Sequence, residues 1–388
     1  SNPSLVFWMG ICYDVSTLMK ELVPDERRSQ MKKRILACLI LCVLLLTGCG
    51  STGGSTGQWP SRKIEIEICY TAGGTADTVA RQLAALMGEQ LGASFNLVNV
   101  TGGSGSIAGQ QVASAAHDGY TWLGDVAHTV SGWRTLGYAD LGWEVFYGFY
   151  AATSPYVLFV SGKSPYETAQ QLFDAMKADP SMKWGNAGVG SINQLTGSLM
   201  LETLGLQGST VPYDGGRAAA IKVVAGEVTW SWCGLSDIID LAQSGDIRIL
   251  GICDGEPRTI SCGGEDVTIP SLLEDYPELE SLENLLYWGF RVPRDTPAEA
   301  VKKIMDAFQA AVASEEWAQF CQSKGLETAE ALGTESDEMC ARLESIYAWG
   351  LYDAGISTVD PASYEIPRIE NFVFPANARG QNAPAWPE

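Results

Sequence analysis

From Lys63 onward, short apolar alternations give way again and again to runs with helical spacing. Ile64, Ile66 and Ile68 alternate with Lys63, Glu65 and Glu67, which predicts a strand with one apolar face over "KIEIEICY". In "TADTVARQLAALMGEQLG", Val79, Leu83 and Leu86 fall on one helical stripe that Gly92 brings to a stop. "SFNLVNV" predicts the next strand, "SIAGQQVASAA" the next helix and "YTWLGDV" a third strand. The second half repeats the grammar. "YVLFV", "KWGNAG", "STVPY" and "VTWSWC" are the strands; "PYETAQQLFDAMKAD", "INQLTGSLMLETLG" and "GRAAAIKVVAGE" are the helices. "DIRILGIC" adds a strand, and "PAEAVKKIMDAFQAAVASEEWAQFCQSKG" one or two helices opened by Pro297. Strands alternating with helices in two series predict an α/β protein with two lobes. The stretch 355–388, rich in Pro, Asn and Ala, has weak periodicity and is expected to pack along the surface.

The first 58 residues have a different pattern. Lys32, Lys33 and Arg34 precede an apolar run from Ile35 to Leu46. That run falls short of the roughly 20 apolar residues needed to span a bilayer, and fits the hydrophobic region of a secretory signal. Leu46-Thr47-Gly48-Cys49 resembles a bacterial lipobox, whose Cys is lipidated after cleavage, and "GSTGGSTG" follows as a flexible tether. Residues 31–48 are therefore expected to be a lipoprotein signal, Cys49 the lipidated residue and 49–58 a tether. Residues 1–30 precede Met31 and are expected to be a tag or a start assigned too early.

Composition narrows the function. With 388 residues and 46% hydrophobic positions the chain can bury real cores, and its formal net charge of −21 argues against holding nucleic acid or an anionic membrane by bulk charge. A small ligand is the expected partner. Ten cysteines include no CxxC and no Cys/His cluster, which argues against structural zinc. Cys253 and Cys262 bracket a loop short enough for a disulfide, which an exported location permits.

The candidate chemistry lies in turns that follow strands. "TAGGTAD" joins a strand to a helix whose first N–H groups lack intrahelical partners and carry partial positive charge, and Gly73 and Gly74 let a ligand approach the backbone. Such a turn can hold a carboxylate without any Lys or Arg; the plainer alternative is that Thr75 or Asp77 merely caps the helix. "NAGVGSINQLTG" repeats the arrangement, with Ser191 beside free N–H groups. Two such turns facing each other across a cleft can grip one ligand. A rival motif is Gly103-Ser104-Gly105-Ser106-Ile107-Ala108, a GxGxxA turn with Asp125 about 20 residues on, as a dinucleotide-binding oxidoreductase would need. The GxSxG match at Gly53 to Gly57 lies in the tether, where no nucleophile elbow forms. His117 reads as a surface turn, while His128, just past a strand end, can donate to a ligand. The twelve Trp are mostly expected in cores, with one or two walling the pocket.

In order along the chain stand Tyr70 to Asp77, the Gly-rich turn from Asn99 to Gly109, "DGYT" at 118–121, "GVGS" at 188–191, "VPYDGG" at 211–216 and "GFRVPRDTPAE" at 289–299. Together they resemble the solute receptors of tripartite tricarboxylate transporters, the Bug or TctC type, over about Trp59 to Gly350. The resemblance implies a type II-like two-lobe periplasmic-binding-protein fold with the ligand in the interdomain cleft, 59–158 plus 277–354 forming lobe 1 and 159–276 lobe 2. It implies capture of a small organic carboxylate (a di- or tricarboxylate, an aromatic acid or an acidic amino acid) for delivery to membrane permease subunits, or for a sensor, with no cofactor and no catalysis. Carried over by motif, Tyr70, Thr71, Ala72, Gly73, Gly74 and Asp77 form the first arm of the grip, Asp77 holding the turn. Gly188, Gly190 and Ser191 form the second, with Tyr213 and Gly215 nearby. Gln194 stands where the family commonly has His, and Glu65 and Glu67 lie in the strand before the first arm.

Overall fold

A computed structural model describes residues 59–262, 265–282, 286–375 and 377–387, without the side chains of Cys262 and Ser281. The expected signal, Cys49, the tether and residues 1–30 lie outside the described residues, as does the Cys262 side chain of the Cys253–Cys262 pairing.

The first lobe is built on a six-stranded sheet. Strands β1 (Ile64–Ile68), β2 (Phe95–Asn99) and β3 (Thr121–Val126) are parallel, linked by helices α1 (Thr75–Leu91) and α2 (Ser106–Ser114). β4 (Phe146–Thr153) then runs antiparallel to a strand from the far end of the chain, β12 (Tyr287–Pro293), which inserts between β4 and β3. β13 (Glu327–Ala331) completes the order β13-β4-β12-β3-β1-β2. The alternation of β1 does what it predicts: Ile64, Ile66 and Ile68 are all buried against Val79 and Leu83 of α1. Gly92 ends α1 in the left-handed region at φ 60°, with its N–H bonded to the Gly88 carbonyl.

The second lobe carries a five-stranded sheet in the order β7-β6-β8-β5-β9. Its strands are β5 (Tyr156–Ser161), β6 (Lys183–Asn186), β7 (Ser209–Pro212), β8 (Trp230–Gly234) and β9 (Ile247–Cys253). α3 (Ala169–Ala178) and α4 (Ile192–Thr203) cover one face, over a core in which Trp184 and Trp230 stack at 5.0 Å and Tyr156 and Trp232 at 5.3 Å. α5 (Gly216–Ala225) and α6 (Leu235–Gln243) cover the other, beside the hairpin β10 (Arg258–Cys262) and β11 (Glu265–Ile269). A short helix α7 (Leu272–Asp275) leads back toward β12. α3 starts at Ala169, four residues past the start of the sequence pattern, because the Thr168 hydroxyl accepts the Gln171 N–H and fixes the first turn there.

The chain changes sheets at Ser154–Pro155, so Tyr156, Val157 and Leu158 pair with β8 and β9 and belong to the second lobe, a correction to the expected boundary at 158. Both crossings meet at Leu286, whose carbonyl accepts from the Thr153 hydroxyl at 2.8 Å and the Ser154 N–H at 3.4 Å.

α8 (Ala298–Val312) and α9 (Glu315–Lys324) pack on the α1 side of the first sheet, and α10 (Gly333–Asp353) on the other. The tail, which ends with helix α11 (Ala378–Asn382) and the residues after it, is anchored. Trp386 packs on Tyr147 and Phe149, with centroids 4.7 and 5.2 Å apart, and donates its indole N–H to Asp337 at 3.0 Å. Arg294, ion-paired with Asp337, also donates to the Pro384 carbonyl. Trp386→Ala is expected to lower folding stability by about 2 kcal/mol in urea unfolding, below the range for fully buried aromatics because the ring is partly exposed.

Candidate functional site

The carboxyl ends of β1 and β3 in one lobe and of β6, β7 and β8 in the other point at each other across the cleft. Its inner part is a narrow pocket lined by Tyr70, Thr71, Gly74, Thr75, His128 and Trp288 from the first lobe's elements and by Ala187, Asn193, Gly215, Arg217 and Asp237 from the second's. The space open there to the centre of a water molecule is about 20 Å³, room for about one water. Outside it lies a wider mouth of about 510 Å³, bordered by Gly103, Ser104, Tyr138, Gly188 and Tyr213.

The lobes are drawn together by direct hydrogen bonds. The Thr71 N–H and hydroxyl both donate to the Asp214 carbonyl, the former at 3.2 Å. Ser104 Oγ donates to the Val189 carbonyl at 2.6 Å, and the Tyr138 hydroxyl reaches the same oxygen at 3.3 Å. The Tyr347 hydroxyl of α10 donates to the Gly190 carbonyl. With so many groups paired across it, the cleft is shut.

The first arm is a tight turn that Asp77 organises. Gly73 turns the chain at φ 80°, and its N–H donates to Asp77 Oδ2 at 2.9 Å; Arg81 and Asn99 donate to Asp77 Oδ1 at 2.9 and 3.0 Å. Burial by itself raises the Asp77 pKa, but the bonds from Arg81, Gly73 and Asn99 outweigh it and hold the pKa below the usual carboxylate range. Asp77 therefore stays charged and faces the turn, away from the cavity. Ala72 and Gly73 are exposed and do not line the cavity. Gly74 is the N-cap residue of α1 and supplies no side-chain cap. What caps α1 is a carboxylate from the opposite lobe. Asp237 Oδ1 accepts from the Thr75 N–H and from the Thr75 hydroxyl, both at 2.8 Å. Ser236 beside it bonds the Thr75 hydroxyl at 2.7 Å and Ser154 at 3.1 Å.

The second arm is satisfied from within. Ser191 is the N-cap of α4 and its hydroxyl accepts the Gln194 N–H at 3.2 Å, while Gln194 Oε1 reaches back to the Gly190 N–H at 2.6 Å. This reciprocal pair is a capping box displaced by one residue. The Gly188 N–H donates to Asn186 Oδ1 at 2.8 Å. Gly188 and Tyr213 border the mouth, Gly215 and His128 the inner cavity, and Gly190, Ser191 and Gln194 lie behind the lining.

The rival dinucleotide turn is accounted for differently. Ser104 sits at φ 49° between left-handed glycines and spends its hydroxyl on the other lobe. Asp125 is fully buried in β3, where it ion-pairs with Arg291 at 2.6 Å, so no ribose can reach it.

A family model for the tripartite tricarboxylate transporter family receptor matches residues 79–341, about two thirds of the chain. The chain belongs to this receptor family. It is a substrate-binding protein and not an enzyme. The structure of the periplasmic binding protein BugD superposes with a TM-score of 0.69 at 24% identity, covering 77% of this chain and 99% of that one. An R. palustris protein with adipate (Rpa4515) gives 0.67 at 24%, covering 77% and 99%. MatC from Rhodopseudomonas palustris with bound malate gives 0.63 at 20%, covering 74% and 100%. The two-lobe periplasmic-binding-protein fold is thus the receptor family's own.

Thr75, Asn193, Arg217, Asp237 and Trp288 also line the pocket, and motif reading in the receptor's sequence does not single them out as ligand groups. One signal was present for Asp237: "SWCGLSD" is a third strand-Gly-helix turn, in the same grammar as the other two.

Proposed function

We propose that this receptor captures a small organic carboxylate outside the cytoplasm, held between the first-arm turn and the facing second-lobe turns, and delivers it to a membrane permease, with the chain tethered through a lipid on Cys49. One observation carries the ligand class: the N-terminus of α1, at the inner pocket of the cleft, holds a carboxylate already, that of Asp237. Backbone and hydroxyl donors aimed at one oxygen suit a charged acceptor, to which hydrogen bonds contribute about 1.5–3 kcal/mol each. The structurally similar proteins that hold adipate and malate support the same class. The first-arm residues Tyr70, Thr71 and Gly74, with His128 and Gly215, border the space the ligand's carboxylate enters, and Asp77, Ser191 and Gln194 fix the two turns that shape it.

A thermal-shift panel of mono-, di- and tricarboxylates, aromatic acids, acidic amino acids and NAD tests this. A cargo acid at 100 times its Kd adds about 2.7 kcal/mol to stability and raises the melting temperature. A panel in which no acid shifts the transition, under conditions where denaturant shifts it normally, overturns the ligand class. For the anchor, Cys49→Ser is expected to release the protein from the membrane fraction once its signal is cleaved; unchanged membrane association after signal cleavage rules the lipid out.

A further inference from the structure

The Asp237 carboxylate lies where three helices begin. It accepts both donors of Thr75 in the first turn of α1, and it stands in the first turn of its own helix α6. It also faces the start of α5, where a Cβ on Gly216 would lie 2.6 Å from Oδ2, so the glycine is what makes room for it. Its side chain is buried and its residue is 5% exposed. Arg217 does not neutralise it directly: that guanidinium pairs with Asp240 and donates to the Asp237 backbone carbonyl at 3.2 Å. The carboxylate is thus held by the N–H and hydroxyl of Thr75 at the start of α1, the same kind of donors that the receptor reading assigns to the cargo.

Two ionised carboxylates cannot share Thr75, since like charges about 3 Å apart do not both stay ionised. Nor is there room for both, because the inner cavity admits about one water. We propose that Asp237 is a resident carboxylate that occupies the first arm and keeps the empty cleft shut, and that the cargo carboxylate binds by taking its place at Thr75. This rests on the carboxylate-receptor reading and adds to it an internal competitor. Opening of the cleft about the crossings at Ser154–Pro155 and Leu286 carries α6 and its carboxylate away from α1. The Thr75 donors are then exposed to a free acid, and that acid closes the cleft in Asp237's stead. The competitor lowers affinity, because only the fraction of molecules with Thr75 vacated is ready to bind. It also provides for release, since Asp237 retakes the donors as the cargo leaves.

The test is a calorimetric titration of the full protein and its Asp237→Ala and Asp237→Ser variants against adipate, malate and citrate, with small-angle scattering of each protein free of ligand. Both variants are expected to bind the preferred acid about tenfold more tightly than the parent, and to have a larger radius of gyration when empty. Having two variants guards against one that fails to fold. Affinity that is unchanged or weaker in both overturns the inference, and weaker binding would mean that Asp237 touches the cargo favourably. If no acid binds any of the three proteins, the receptor reading fails by itself. Scattering then decides the latch: a more open empty variant upholds it, and identical radii sink it.

Discussion

Gly74→Val is expected to weaken binding of the cargo acid about 100-fold, equivalent to about 2.7 kcal/mol, with little change in folding stability. Gly74 has φ −77°, which any residue adopts, so the effect is one of space and not of backbone strain. A Cβ there would stand 3.3 Å from the Thr71 carbonyl, 3.4 Å from Asp237 Oδ1 and 3.5 Å from the Arg217 Cβ. Alanine is thus just tolerated, while the two methyls of valine overfill the shut cleft, a fault that costs about 1–3 kcal/mol. Two of those three contacts exist only in the closed state, because Asp237 and Arg217 come from the opposite lobe. The variant should therefore fold, remain open, and lose affinity for whichever acid the parent binds, with Gly74→Ala falling between the two. Equal calorimetric affinity in Gly74→Val and the parent would place the ligand elsewhere.

Arg291→Met should lower the unfolding free energy by about 3–5 kcal/mol, the usual result of removing one partner from a buried ion pair. Arg291 is 1% exposed and Asp125 fully buried; the guanidinium donates to Asp125 and to the Ala127 carbonyl and lies over the Tyr150 ring. Burial pushes the Asp125 pKa up to about 6, with Arg291 offsetting part of the rise. The folded-state pKa is above that of the unfolded chain, so this group's contribution is complete at pH below about 4 and is lost as pH rises through about 6. Without Arg291 the offset is gone and the pKa rises further. The loss then continues to higher pH, so the stability gap between variant and parent should widen from pH 5 to pH 8. Urea unfolding across that range measures it, and a gap that narrows would mean Asp125 is not the group left uncompensated. Replacing Asp125 by Leu in the same chain should restore part of the stability.

The elements that the pattern reveals are those with one clean face. β1 alternates because only its isoleucines meet α1, and the two Gly-rich arms announce themselves as strand, glycine, helix. β4 is hidden because "FYGFYAAT" is buried on both sides and shows no period of two. α10 is hidden likewise, since it is buried both by α4 and by the first sheet, so that polar Ser336, Asp337 and Glu344 are as buried as its apolar residues. The Gly-Val-Gly-Ser turn is legible as a turn, but whether its N–H groups point at a ligand or at Gln194 is decided by a side-chain rotamer. The turn that carries Asp237 is legible too, but its role is not. Its meaning depends on Thr75, 162 positions away, and no local spacing records that meeting.

The place of β12 sets an order of assembly. All five strands of the second sheet lie between Tyr156 and Cys253, so that lobe has every partner it needs as soon as this stretch is made. The first sheet does not: β3 and β4 remain unjoined until β12 arrives, and the Asp125–Arg291 bond that ties β3 to it closes over 166 positions. Joining ends so distant in sequence is slow. The lobe that begins the chain is therefore the last to fold, and until β12 is in place the first arm, at the end of β1, stands on an unfinished sheet.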